Sequence, residues 1–329
     1  MAAAAADKTK APRGRWTTDF MRRIVAAVGA WSGQPLARRC CWVLMCALPL
    51  AGCGGLGEWQ RQAALRPTPT QAGQAEAAAS SWRPGDVRLT LPATDAPRQQ
   101  VAIWWLPQPD PQAPALLYLH GTFRNLYHNL PKIEALRSAG FAVLAVDYRG
   151  WGDSSVMVPS EASINADAAL AWAELQRHQG DPARRFIYGH SMGGAVAVTL
   201  ASGLKYGSDY AALVLESTFT SLPELAAAAG FWGRIAGAAT TLEFDSLSRI
   251  GRVDAPLLML HGDADKTVPV ALGRRLRDAA PAGVRWVEIP GGTHSRLDSE
   301  APEIYQQALR QIMNTTKTRI PAPSRASSP

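Results

Sequence analysis

Residues 186–197 read FIYGHSMGGAVA. An apolar run enters a glycine, a serine and two more glycines, and small residues then resume. Two readings compete for this stretch. It is a tight, glycine-lined turn between a strand and a helix, or it is such a turn that also lifts Ser191 out as a nucleophile. Gly-x-Ser-x-Gly alone separates the two poorly, because glycine and serine favour turns in any protein. The surrounding chain has to decide.

Around this stretch, short apolar runs alternate with longer periodic ones. VRLTL and VAIWWLP, within residues 87–107, flank a polar, proline-containing turn and read as an antiparallel strand pair. APALLYLHG, FAVLAVDYRG, RRFIYGHS, AALVLEST, PLLMLHGDAD and VRWVEIPGG read as further strands. Helical stretches such as NLPKIEALRSAG and INADAALAWAELQRH separate them, and EIYQQALRQIM closes the body. Continuously apolar inner strands imply a sheet covered by helices on both faces. The alternation predicts an α/β fold with an open, mainly parallel sheet of about eight strands. Ligands in such sheets bind at the carboxyl ends of the strands, and the polar motifs below all fall there.

Charge and cysteine content narrow the function. The 329 residues carry 34 Lys/Arg and 27 Asp/Glu. Eight of those bases and two of those acids lie in residues 1–52, leaving 26 bases against 25 acids in the remainder. A nearly neutral body gives no reason to expect a nucleic acid partner. Cys40, Cys41, Cys46 and Cys53 are the only cysteines, so a disulfide framework inside the body is excluded. Zinc-type Cys/His clusters and a P-loop are absent from the sequence. Neither a metal nor a cofactor is expected.

Residues 1–52 read as a leader. Arg38-Arg39 precedes an apolar run from Cys40 to Ala51, too short for the roughly 20 residues of a membrane span but suited to a secretory signal. Leu50-Ala51-Gly52-Cys53 resembles the bacterial lipoprotein signal, which implies lipidation of Cys53. Gly54 in place of Asp leans, by that family's sorting logic, toward the outer membrane of a bacterial envelope. The 39 residues before the apolar run are more than such signals carry, and Met21 is an alternative start. Residues 53–85, rich in Ala, Gln, Thr and Pro, read as a linker. Residues 86–313 form the predicted domain, and 314–329 a polar, disordered tail.

From Val87 to Met313 the chain resembles an α/β-hydrolase, closest to small-capped serine hydrolases of the serine-aminopeptidase-like and depalmitoylase-like branch. The resemblance places Ser191 in the nucleophile elbow, with Gly189 and Gly193 as its required small neighbours. It assigns the base to His294 in PGGTHSRL. It assigns the acid to Asp265 in LHGDADKTVP, matching His-Gly-x-x-Asp-x-x-Val-Pro, with Asp263 as a turn-former. The chain order Ser191, Asp265, His294 is the order this fold requires. The oxyanion-hole N–H groups fall by position on Met192 and Thr122. The branch often carries Asn where Thr122 stands, and HGTFRN keeps only Asn125. DYRGWGDSS and LESTFTSL match further motifs, the second opening a small cap at about residues 217–250.

Other residues admit blander roles. His120, His190 and His261 sit at strand ends and read as loop-packing groups, Arg149 as a tie for its own turn, and Glu216 as an alternative acid. Trp232, in the cap segment AAAAGFWGRIAGAA, is either a packing residue or an acyl-binding wall beside Ser191. The resemblance implies a monomeric serine hydrolase of small-molecule or acylated esters or thioesters, held at a membrane by its anchor. A serine-aminopeptidase-like peptidase and a non-catalytic, lipid-anchored binding protein of the same fold are the alternatives.

Overall fold

The computed structural model describes residues 53–319. The chain divides after Leu56. Of the first unit only residues 53–56 are described, as the start of helix α1 (Cys53–Leu65). The leader and the residues after Arg319 lie outside the described residues, as does the Trp232 side chain.

The body is built on eight strands: β1 (Val87–Pro92), β2 (Gln100–Leu106), β3 (Ala115–Leu119), β4 (Ala142–Asp147), β5 (Arg185–His190), β6 (Ala212–Glu216), β7 (Leu257–Gly262) and β8 (Arg285–Ile289). They lie in one sheet in the order β1-β2-β4-β3-β5-β6-β7-β8. β2 is antiparallel to both β1 and β4, and every other pairing is parallel. All eight strands expected from apolar runs are present.

Side chains alternate across the sheet. On β3, Leu117 and Leu119 join one buried cluster while Leu116 and Tyr118 join the other. The first cluster is closed by helices α3 (Glu161–His178), α4 (Met192–Ala201) and α7 (Val270–Ala279), through Ile164, Val196 and Leu276. The second is closed by α2 (Leu126–Ser138) and α8 (Pro302–Arg319), through Ile133 and Leu309. Both faces are covered, which is why the inner strands need no polar side. Between β6 and β7 stand α5 (Leu222–Ala228) and α6 (Phe231–Ala239), in the stretch expected to form the cap.

Register aligns the strand ends that matter. Leu119 pairs with Gly189, and His190 with Glu216. The carboxyl ends of β3, β5 and β6 therefore share one edge.

Residues 57–85, of linker-like composition, pack on the body. Leu65 and Ala78 are buried, and the Trp82 ring meets Trp104 edge-on at 5.0 Å. Gly152 N donates to Thr68 O at 3.0 Å and Thr70 N donates to Gly152 O at 2.9 Å. Toward the other end, α8 continues past Asn314 to Arg319. Among the described residues no helix is long and apolar enough to cross a membrane.

Candidate active site

The turn after β5 is set by close approach. A Cβ on Gly193 would stand 2.1 Å from Leu119 O, and one on Gly189 would stand 2.3 Å from Gly193 O. Neither position tolerates a side chain, so the strand reverses directly into α4. Ser191 takes up the strain of that reversal, with φ 56° and ψ −121°. Two hydrogen bonds hold it there. Its N–H donates to Glu216 O at 2.9 Å, and Thr218 Oγ1 donates to its carbonyl at 2.9 Å.

His294 arrives from the loop after β8, on the far side of β6 and β7. Its Nε2 lies 3.0 Å from Ser191 Oγ, and its Nδ1 lies 2.8 Å from Asp265 Oδ2. The carboxylate fixes the imidazole proton on Nδ1, which leaves Nε2 free to accept from the serine hydroxyl. Asp265, in the turn after β7, is itself held by the N–H groups of Thr267 and Val268, each 2.8 Å from Oδ1. Burial pushes its carboxyl upward. Hydrogen bonds from His261 and His294 outweigh that effect and hold it well below the usual carboxylate range. Asp265 therefore stays ionised wherever a histidine titrates.

The loop after β3 runs directly over the serine. A Cβ on Gly121 would come within 3.0 Å of Ser191 Cβ and 3.3 Å of His190 O. Thr122 is the next residue of that loop. Met192 opens α4, where the first N–H groups of a helix have no intrahelical acceptor. Asn125, buried, caps α2 by accepting from His128 N at 3.3 Å. It also donates through Nδ2 to Gln74 Oε1 at 3.0 Å. Loop order thus comes from Asn125 together with the segment before β1, where the Arg66 guanidinium also stacks 4.8 Å from the Phe123 ring centre.

The remaining polar residues divide between packing and support. Arg149 is buried against Asp167 (2.8 Å) and Asp95 (2.7 Å), tying down its turn as expected. The Glu216 carboxylate is engaged by Lys132 at 2.6 Å and by the Tyr188 hydroxyl, while His294 Nδ1 faces Asp265. His190 does more than pack a loop. Its Nε2 donates to His294 O at 3.0 Å, bracing the loop that carries the imidazole. Burial, reinforced by the nearby His294, pushes the His190 pKa well down and keeps it a neutral donor. His261 similarly donates to Val268 O at 3.0 Å beneath Asp265. The only sequence signal for either role is the placement of a histidine at a strand end. Trp232 lies on α6, and the position of its ring relative to Ser191 is outside the described residues. Among the described residues no group of three His, Cys, Asp or Glu is placed to hold a metal ion.

Comparison with known proteins agrees with this architecture. A family model described as "Serine aminopeptidase, S33" matches residues 111–242. An uncharacterized protein of Mycobacterium tuberculosis is 34% identical over 215 residues, covering 65% of this chain and 74% of that protein. The lysophosphatidylserine lipase ABHD12 of Danio rerio is 35% identical over 182 residues, covering 51% of this chain and 47% of the lipase. The chain thus spans about half the length of that lipase. Among solved structures, the Pyrococcus furiosus esterase Pf2001 superposes with a TM-score of 0.61 at 18% identity, covering 76% of this chain and 96% of the esterase. Est1E from Butyrivibrio proteoclasticus gives a TM-score of 0.56 at 18% identity, covering 70% and 100%. These likenesses meet the sheet order and the elbow at one conclusion: the chain has the α/β-hydrolase fold and belongs to one family with the mycobacterial relative.

Proposed function

We propose that the chain is a serine hydrolase that cleaves carboxylic ester or thioester bonds through an acyl-enzyme on Ser191. The observation that carries this reading is the unbroken contact line Asp265–His294–Ser191, with spacings of 2.8 and 3.0 Å. A serine hydroxyl is a weak nucleophile until a base takes its proton. In this reading Ser191 Oγ attacks the acyl carbon as its proton passes to His294 Nε2. The carbonyl oxygen becomes an oxyanion in front of the Met192 and Thr122 N–H groups, where losing one such donor costs about 3 kcal/mol of transition-state stabilisation. His294 then returns the proton to the leaving oxygen or sulfur, which departs as alcohol or thiol. Water attacks the acyl-enzyme by the same path in reverse. Asp265 holds the tautomer and stabilises the imidazolium without taking the proton.

Substrate class follows from the cap and the relatives. Roughly 40 residues separate the end of β6 from β7, enough for two short helices and too few for a large lid. The ABHD12 relatives support single-chain acyl lipids, of lysophospholipid type, as the substrate class. The test is hydrolysis of p-nitrophenyl esters of increasing chain length beside aminoacyl-nitroanilides, with fluorophosphonate labelling mapped by peptide. Labelling at Ser191 and a preference for esters of medium or long acyl chains are expected. Faster anilide cleavage would move the assignment to a peptidase. Absence of any adduct on folded protein would make the chain a non-catalytic binding protein.

The same proposal holds the enzyme at a bacterial envelope membrane through Cys53. The support is the sequence Leu50-Ala51-Gly52-Cys53 after an apolar run. Each buried CH₂ of an acyl chain contributes about 0.8 kcal/mol, and two or more chains anchor stably. Cys53→Ser is expected to shift the full chain from the detergent phase to the aqueous phase in cloud-point partitioning. An unchanged distribution would remove the anchor.

A further inference from the structure

One buried cluster of charge lies beside the site and takes no part in the chemistry above. Lys132 projects from α2, the helix that follows the oxyanion loop, and is 4% exposed. Its Nζ donates to Glu216 Oε1 at 2.6 Å and to Asp298 Oδ1 at 2.7 Å. The other oxygen of Glu216 accepts from the Tyr188 hydroxyl, and the Tyr305 hydroxyl lies 2.8 Å from that of Tyr188. Burial raises the Glu216 carboxyl and the Tyr305 phenol alike, and the Lys132 ammonium offsets part of the rise at Glu216.

The partners of this cluster are also the carriers of the site. Tyr188 is on β5, three residues before Ser191. Glu216 ends β6, and its own carbonyl accepts from Ser191 N. Asp298 follows His294 by four residues, in the short turn Leu297–Glu300. One ammonium therefore connects the helix after the β3 loop, strand β6 beside the nucleophile strand and the loop that delivers His294.

Such a cluster is a poor way to gain stability. Each buried ion loses several kcal/mol of hydration, and apolar replacements of similar volume are often neutral or stabilising. What a buried, hydrogen-bonded ion supplies instead is fixed geometry, because any displacement leaves a charge unpaired in a low dielectric. The His294 loop is joined to the nucleophile strand by the His190–His294 hydrogen bond, and to the turn after β7 by Ala264 N donating to Gly292 O at 3.1 Å, Gly291 N donating to Asp263 Oδ1 at 2.6 Å and the His294–Asp265 contact. The ion cluster adds the tie from the far end of that loop, at Asp298, to α2 and β6.

From this geometry we infer that Lys132 is a positioning residue, which fixes the His294 loop through Asp298 to Glu216 of β6, the residue whose carbonyl accepts from Ser191 N. The inference rests on the roles proposed for Ser191 and His294. It adds that the alignment of the imidazole with Ser191 Oγ depends on a lysine of α2.

The test uses the full chain and two variants at the rim of the cluster. Asp298→Ala cuts the tie to the loop while Lys132 keeps Glu216 as its partner. Asp298→Asn retains an oxygen that accepts from Lys132. Measured are kcat and KM on p-nitrophenyl butyrate, the rate of fluorophosphonate labelling, and the urea midpoint. Asp298→Ala is expected to lower kcat and the labelling rate together by about tenfold or more. KM should stay within about twofold, and the midpoint should show folded protein under assay conditions. Asp298→Asn should recover most of the loss. A labelling rate in Asp298→Ala equal to that of the parent chain would overturn the inference, as would a kcat loss matched by a loss of folded protein. Equal losses in the Ala and Asn variants would do the same. If the parent chain itself takes no label, the failure lies in the role given to Ser191.

Discussion

Ser191→Ala and His294→Ala are each expected to lower kcat on an activated ester by about 10⁵- to 10⁶-fold, and the double variant to fall no further. The reason is the single line of contacts. Without His294 Nε2 at 3.0 Å, Ser191 Oγ keeps its proton; without Oγ, the imidazole has no proton to take. Either loss removes the same event, so the free-energy costs cannot add. The residual rate should still exceed that of water alone by about 10³- to 10⁴-fold, because the oxyanion donors proposed on Met192 and Thr122 and the binding surface remain. Stopped assays on all three purified variants check this. A double variant slower than either single one by the product of their effects would mean that the two side chains act separately, and the acyl-enzyme mechanism would fail.

Asp265→Asn is expected to lower kcat by about 10⁴-fold with little change in KM. The substitution keeps the shape of the side chain, but an amide can present its NH₂ to His294 Nδ1 and so favour the tautomer with hydrogen on Nε2. That tautomer cannot accept from Ser191 Oγ. The same variant should change the acid stability of the fold. A carboxyl held low in the folded state contributes stability that is complete above its unfolded value of about 3.9, and that is lost as pH falls toward the folded value. Asp265→Asn removes this contribution, so its urea midpoint should fall less steeply than the parent's over roughly pH 2 to 5. A full-activity Asn variant would point to another acid, with Glu216 the first to test.

The sheet and the line of three residues were legible for a common reason. The inner strands are short apolar runs because helices cover both faces, and each run ends in a polar residue where the chain reaches the site edge. The glycine spacing around Ser191 reflects contacts that a single Cβ would break, such as that of Gly193 with Leu119 O. The supporting contacts were illegible because they are long-range and carry no local pattern. Lys132 reads as one polar residue on a helix, and its partners lie 84 and 166 residues away. The segment before β1 has linker composition, yet Gln74 meets Asn125, 51 residues on, through a contact that no periodicity announces. His190 reads as a turn residue because its acceptor is the backbone of a histidine 104 positions later.

That separation in sequence also sets a schedule. Ser191 and His294 stand 103 residues apart, and Asp265 lies between them. A chain emerging from the ribosome presents the elbow strand well before the last loop exists. In the proposed mechanism, any partial chain short of β8 lacks the group that would remove the serine's proton. Under that mechanism full turnover begins with the arrival of the final loop. For a chain whose proposed substrates are single-chain acyl lipids, that delay withholds the base until the sheet is complete.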